Sequence, residues 1–218
     1  LEHALNLRKL KLSKTKEPLI ELSNILNIDY PKRIELFDNS NIQGSSAVSA
    51  MVTYIDGMPS RRDYRKYKIK TVDGADDYHT MIEVITRRYK RLKEENLQLP
   101  NLLIVDGGKI QVKAAKQVLK ELEISDIEII GLQKDDSHKT DSIITSNYDE
   151  IKIDKKSNIF LLLESMQDEV HRFAITFFKQ THSKNTLTSI LDGIKGIGKI
   201  RKKILHENFD FKPSPTLY

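Results

Sequence analysis

Arg33-Ile34-Glu35-Leu36-Phe37-Asp38-Asn39-Ser40 and Asn101-Leu102-Leu103-Ile104-Val105-Asp106-Gly107-Gly108 are the two stretches on which the fold turns. Each holds a short apolar run that closes on an aspartate, the pattern of a buried strand with a carboxylate at its end. An ionised carboxylate in such a place is costly unless something positive compensates it. Two of them ask for a shared cation.

Working outward from the first stretch, residues 1–28 are rich in Leu, Lys and Glu and read as helix or helical linker, which Pro31 ends. Ala47 to Ile55 then follows a strand period, Asp56-Gly57-Met58-Pro59-Ser60 is a turn signal, and Tyr64 to Ile69 is a third strand, giving an antiparallel meander. Met81, Ile85, Tyr89 and Leu92 fall at helical spacing. Leu102 to Val105 is a strand, Ile110 to Leu122 a helix and Ile127 to Leu132 another strand, an alternation that signals parallel pairing. A loop-rich piece follows, then a long helix from Ile159 to Phe177 that carries His171.

This order is that of an RNase H-like α/β domain: a mixed sheet of three antiparallel strands followed by parallel ones, flanked by helices. In it the first strand lies centrally beside the fourth. Asp38 and Asp106 are then neighbours, although 68 residues (106 − 38) separate them in sequence.

The composition sets bounds. With 218 residues, 39% of them hydrophobic, the chain has material for a core. Lysine plus arginine number 36 against 31 acidic residues, a net charge of +5 that suits a polyanionic partner without establishing one. There is no cysteine, so a metal has to sit on oxygen and imidazole ligands, which favours Mg²⁺ or Mn²⁺. No apolar run reaches the roughly 18 residues a membrane helix needs, and no secretory leader opens the chain. A cytoplasmic protein is expected, and a start at Leu1 fits one lacking an N-terminal part.

Phosphodiester hydrolysis by two metals needs carboxylates around ions roughly 3.5–4 Å apart. Asp38 and Asp106, joined by His171 in Asp168-Glu169-Val170-His171-Arg172-Phe173, form an Asp, Asp, His set of that kind. Each residue alone has a plainer reading. Asp106-Gly107-Gly108 fits a turn, His171 among Val170 and Phe173 fits a core histidine, and Asp76-Asp77 fits a helix N-cap. Lys109 either meets a phosphate or simply begins a helix. Arg87-Arg88-Tyr89-Lys90-Arg91 is a DNA-facing surface or an ordinary solvated helix face, and His138 sits in a polar loop that starts at Lys134.

Beyond Leu187, Gly196-Ile197-Gly198 between two short helical patterns is a helix-hairpin-helix candidate. Its glycines let backbone N–H groups face a phosphate, with Lys199, Arg201, Lys202 and Lys203 just after them. The expected organisation is a helical linker at 1–30, the RNase H-like domain at 31–184, an incomplete helix-hairpin-helix at 185–210 and a tail at 211–218.

Taken together, Ile34 to Ser40, Tyr64-Arg65-Lys66-Tyr67, Gly74-Ala75-Asp76-Asp77-Tyr78, Leu103 to Lys109, Asp168 to Ala174 and Leu191 to Arg201 recur in the order of a known family. The chain resembles the C-terminal half of UvrC, the nuclease subunit of the bacterial nucleotide excision repair excinuclease. The resemblance implies a metal-dependent DNA endonuclease that makes the incision 5′ to a lesion, with Asp38, Asp106 and His171 as catalytic triad and metal ligands. It places Asp77 where the family carries a further essential acidic residue. Lys109, Arg172, Gly196, Gly198, Lys199 and Arg201 are the expected DNA contacts. It implies damaged double-stranded DNA and UvrB as partners, after UvrA-dependent damage loading, and residues 1–28 trail the family's UvrB-binding motif. The family's N-terminal GIY-YIG domain is absent from this sequence, and one hairpin stands where the family usually has two. Two other readings use the same residues: a different RNase H-like nuclease of resolvase or transposase type, and a non-catalytic DNA-binding or partner-docking module.

Overall fold

A computed structural model describes residues 15–40, 48–72, 76–135 and 140–192, with side chains through residue 176 except that of Ser40. The chain comprises two compact units, residues 1–174 and 175–218. In the second, the described backbone is helical from 175 to 192. The expected hairpin with Gly196, Gly198, Lys199 and Arg201 lies outside the described residues, as do His138 and the tail.

The first unit opens with helix α1 at residues 15–26, closed by Asn27 in the left-handed region (φ 52) that asparagine tolerates at a helix end. Then come β1 (Arg33–Ser40), β2 (Val48–Ile55), the two-residue β3 (Met58–Pro59), a 3-10 turn (Arg61–Asp63), β4 (Arg65–Lys68) and α2 (Asp77–Glu94). β5 (Leu102–Val105), α3 (Lys109–Glu121), β6 (Glu128–Lys134), β7 (Thr140–Thr145), β8 (Glu150–Lys152) and the part of α4 (Asn158–Asp192) up to residue 174 complete it. The sheet runs β3-β2-β1-β5-β6-β7-β8, and β4 also pairs with β2. β1 pairs with β2 antiparallel and with β5 parallel, in the register Phe37↔Val105, and β5 pairs with β6 parallel. The expected central place of the first strand beside the fourth is what the fold has.

One expected loop is not a loop. The piece after Leu132 continues β6 to Lys134 and adds the antiparallel strands β7 and β8. Thr140-Asp141-Ser142-Ile143-Ile144-Thr145 offers two apolar residues and Glu150-Ile151-Lys152 one, too few for a period to register. Pairing of β7 with β6 and of β8 with β7 supplies their hydrogen bonds, and Ile143 and Ile144 are buried.

Alternation along the strands sorts the core into two layers. Ile34, Leu36, Leu102, Ile104, Ile130 and Leu132 face α1 and the first part of α4, against Leu19, Leu22, Leu163, Met166 and Val170. Phe37, Leu103, Val105 and Ile129 face α2 and α3, against Met81, Ile85, Tyr89, Val112 and Val118. By the same period of two, Asp38 follows Leu36 and Asp106 follows Ile104 toward the α4 layer.

The opposite layer carries a buried ion pair. Arg88 on α2 donates to both oxygens of Glu35 on β1, at 3.1 and 2.6 Å, with both side chains almost fully enclosed. This corrects, for one residue, the reading of Arg87 to Arg91 as a solvated or DNA-facing run: Arg88 points inward. Arg87 pairs with Glu83, Lys90 with Glu94 and Arg91 with Glu95 along the helix. Arg88→Leu leaves the Glu35 carboxylate in the core without its main partner and is expected to lower stability by about 3–5 kcal/mol. Arg91→Leu, which breaks an exposed pair, should cost no more than about 0.5 kcal/mol. Urea unfolding of the two variants against the parent chain measures the difference.

Candidate active site

Asp38 sits six residues into β1, and its backbone carbonyl accepts from Ser49 Oγ across the β1–β2 ladder at 2.9 Å. Asp106 is the first residue past β5, and its N–H donates to the Phe37 carbonyl at 2.9 Å, which extends the parallel ladder by one rung. The two carboxylates thus leave adjacent strand ends on the same face, 6% and 2% exposed. Beneath the turn, Gly131 of β6 packs so close that an added Cβ would lie 2.4 Å from the Gly107 carbonyl oxygen and 2.7 Å from Val112. Any side chain there would push the Asp106-Gly107-Gly108 turn away from the sheet.

His171 comes from α4, one residue past Val170, which anchors that helix in the core. Its Nδ1 is 2.8 Å from Asp38 Oδ2 and its Nε2 is 3.2 Å from Asp106 Oδ2. Hydrogen bonds to Asp106 and Asp38 push the imidazole pKa from 6.5 up to about 10, against the opposing effect of burial. Burial alone would raise the Asp106 pKa, yet donation from His171, Lys134 and Gln167 holds it below the ordinary value. As it stands, the imidazolium is the cation that the two carboxylates share.

Two residues that sequence reasoning missed complete the cluster. Gln167, one turn before His171 on the same helix face, donates to Asp106 Oδ1 at 2.8 Å and accepts from Thr140 Oγ1 of β7. Lys134, expected to begin a polar loop, is instead the last residue of β6, and its Nζ donates to Asp106 Oδ2 at 3.0 Å. The signals were present: an i, i+4 spacing to a candidate histidine, and a lysine at the carboxyl end of a strand neighbouring β5.

The other expected site residues fall around this centre. Asp76 caps α2, accepting from the His79 N–H at 3.0 Å. Asp77 is the first residue of α2, exposed, and its carbonyl accepts from Asn39, the residue after Asp38, at 3.2 Å. Asp77 is not in the close group. Lys109 is the exposed first residue of α3. Arg172 donates twice to Glu169, at 2.8 and 2.7 Å. Glu169 also accepts from Tyr64 at 3.1 Å, and the Tyr64 ring meets Phe173 edge-on at 5.1 Å, so two of the quoted motifs pack on each other.

Among the described residues, Asp38, Asp106 and His171 form a group that could hold a metal ion: one ligand atom from each lies within 4.8 Å of the others. The donor set fits. It is two hard carboxylates and one imidazole with no thiolate, enclosed at the base and open through His171, which is 39% exposed.

Residues 23–175 match the UvrC RNAse H endonuclease domain family. The chain belongs to this family. It is 50% identical over 210 residues to the UvrABC system protein C of Streptococcus equi subsp. zooepidemicus and 49% identical over 210 residues to that of Streptococcus pyogenes serotype M6. These alignments cover 96% of this chain and 35% of each relative, so the chain spans about a third of the relatives' length. Among solved structures, it is similar to Ciona intestinalis endonuclease V in complex with inosine-containing DNA, with a TM-score of 0.39 and 18% identity over 62% of this chain and 59% of that one. Human ENDOV matches with a TM-score of 0.37 and 11% identity over 79% of this chain and 98% of that one. The domain is an endonuclease domain with a mixed α/β sheet, as the sequence led us to expect.

The pH dependence of the metal-free protein follows from His171. Its folded pKa of about 10 lies above the ordinary 6.5, so the stability it contributes is complete below pH 6.5 and is lost as pH rises toward 10. In a chelator, the melting temperature of the parent chain should exceed that of His171→Gln most at pH 6 and approach it near pH 10. A gap that widens with pH would contradict the assignment.

Proposed function

We propose that this chain is the domain of a nucleotide excision repair nuclease that cuts DNA 5′ to a lesion, using Mg²⁺ or Mn²⁺ held by Asp38, Asp106 and His171. The juxtaposition of these three side chains inside the stretch that matches the family carries the reading. A divalent ion bound there would polarise a phosphoryl oxygen and make water a better nucleophile at neutral pH.

The chain's own residues do the rest. Asp38 and Asp106 supply rigid oxygens because both leave paired strands, and Gln167 fixes the second of them by its hydrogen bond to Oδ1. His171 must shed its proton to serve as a ligand, so ion binding competes with the imidazolium and strengthens as pH rises. Asp77, at the start of α2 and tied through Asn39 to the end of β1, supports the site from behind or positions substrate. Lys109 and Arg172 are the proposed contacts to the DNA backbone beside the site. Residues 185–210, with Gly196, Gly198, Lys199 and Arg201, are proposed as an incomplete helix-hairpin-helix that anchors the duplex through phosphates without reading sequence.

The whole protein acts, in this reading, on damaged double-stranded DNA in the cytoplasm and with UvrB after UvrA-dependent loading. Residues 1–30 form the linker that trails the UvrB-binding region, and 31–184 the endonuclease domain. No described helix is long and apolar enough to cross a membrane.

Asp106→Asn keeps the shape of the side chain and removes the charge. It should leave thermal unfolding within a few degrees of the parent while abolishing Mn²⁺-dependent nicking of a lesion-containing duplex. Retained nicking would sink the assignment. Cutting of four-way junctions in preference to the lesion duplex would move it to the resolvase-type reading.

A further inference from the structure

Lys134 stands out because it competes for an atom that the metal reading needs. β6 pairs with β5 in the register Val105↔Gly131, so its last three residues run past the end of β5. The β6–β7 register shifts between Gln133 and Lys134, an irregularity of the kind that re-aims a side chain at the end of a ladder. The Lys134 ammonium therefore comes to lie 3.0 Å from Asp106 Oδ2 and 3.5 Å from His171 Nε2.

That oxygen is now shared by two donors. His171 Nε2 approaches it at 3.2 Å and Lys134 Nζ at 3.0 Å, and two cations this close repel each other. An ion held by Asp38, Asp106 and His171 would need the same oxygen and would repel the ammonium more strongly. The Asp106 side chain is 2% exposed and its backbone N–H is held by Phe37, whereas the Lys134 side chain is 34% exposed on a flexible four-carbon stem. Of the two, Lys134 is the group that moves.

Its exposed side, like that of His171 beside it, faces solvent, from which a substrate phosphate would approach. Charge favours that outcome. With His171 neutral and a divalent ion in place, the two carboxylates and the lysine leave the site with one net positive charge; without Lys134 it would be neutral.

We propose that Lys134 is a further catalytic residue of this site, whose ammonium contacts a non-bridging oxygen of the scissile phosphodiester once a divalent ion occupies Asp106. This rests on the nuclease reading of the same cluster. Lys134 donates hydrogen bonds and exchanges no proton; it neutralises Asp106 in the empty site and the phosphate in the loaded one.

The test compares the 218-residue chain with its Lys134→Met and Lys134→Arg variants. Mn²⁺ titration calorimetry without DNA should show Lys134→Met binding the ion about fivefold more tightly, because a competing cation is gone. Binding of a bubble-containing duplex in Ca²⁺, followed against salt, should lose about 0.9 from the log–log slope, the share of one phosphate contact. Mn²⁺-dependent nicking should fall about 100-fold, as for loss of one charge-stabilising donor, and Lys134→Arg should recover most of it.

Weaker Mn²⁺ binding with earlier unfolding in Lys134→Met would make the lysine a strut for Asp106 and overturn the proposal. An unchanged salt slope would overturn it as well, as would nicking within twofold of the parent. If the parent binds Mn²⁺ yet nicks nothing, the nuclease reading fails, and the ion titration and salt slope still decide Lys134.

Discussion

His171 lies between Asp38 at 2.8 Å and Asp106 at 3.2 Å, and the rest of the unit is arranged so that this contact can exist. Two carboxylates at neighbouring strand ends repel each other and lose hydration, and neither is tolerable without a cation between them. The parallel pairing of β1 with β5 creates the problem by setting Asp38 beside Asp106. Helix α4 answers it with an imidazole whose pKa the same carboxylates raise to about 10. A proton on His171 and a cation held in its place would answer the same charge problem.

Both faces of β1 are held, by different means. On the α4 face Leu36 is packed among Met166, Val170 and Ile104, and Asp38 continues that row toward His171. On the α2 face Phe37 is buried against Tyr89, while Glu35 takes two hydrogen bonds from Arg88. A buried pair of this kind adds little net stability, but losing one partner is expensive, so it penalises any slip of the strand against the helix. A one-residue slip would move Asp38 to the wrong layer. Gly131 acts in the same direction from beneath, admitting the Gly107 carbonyl where a side chain would not.

Much of this was legible in the chain. The apolar runs ending at Asp38 and Asp106, the helical spacing from Met81 to Leu92 and the run from Ile159 onward all formed as elements of the expected type, although α2 starts four residues before Met81 and α4 runs on past Phe177 to Asp192. Long, strongly periodic segments read well because their burial repeats. β7 and β8 were illegible for the opposite reason, since they are short, mostly polar and stabilised by pairing, β7 with β6 and β8 with β7. Arg88 was misread because a basic residue among basic residues looks solvated, and only Glu35, 53 residues away in sequence, turns it inward. Gln167 and Lys134 went unnoticed because neither has a meaning until Asp106 stands within reach.

The sequence by itself determined the strand ends, the face on which each carboxylate leaves and the helix that bears His171, because these follow from local period and residue type. The absence of cysteine also confined any ion to oxygen and nitrogen ligands. Only the tertiary structure decided which groups meet. It put Lys134 on Asp106, Gln167 between Thr140 and Asp106, and Asp77 outside the close group. Those outcomes depend on strand register, one bulge and the seating of α4, which are properties of the packed sheet and of no single segment.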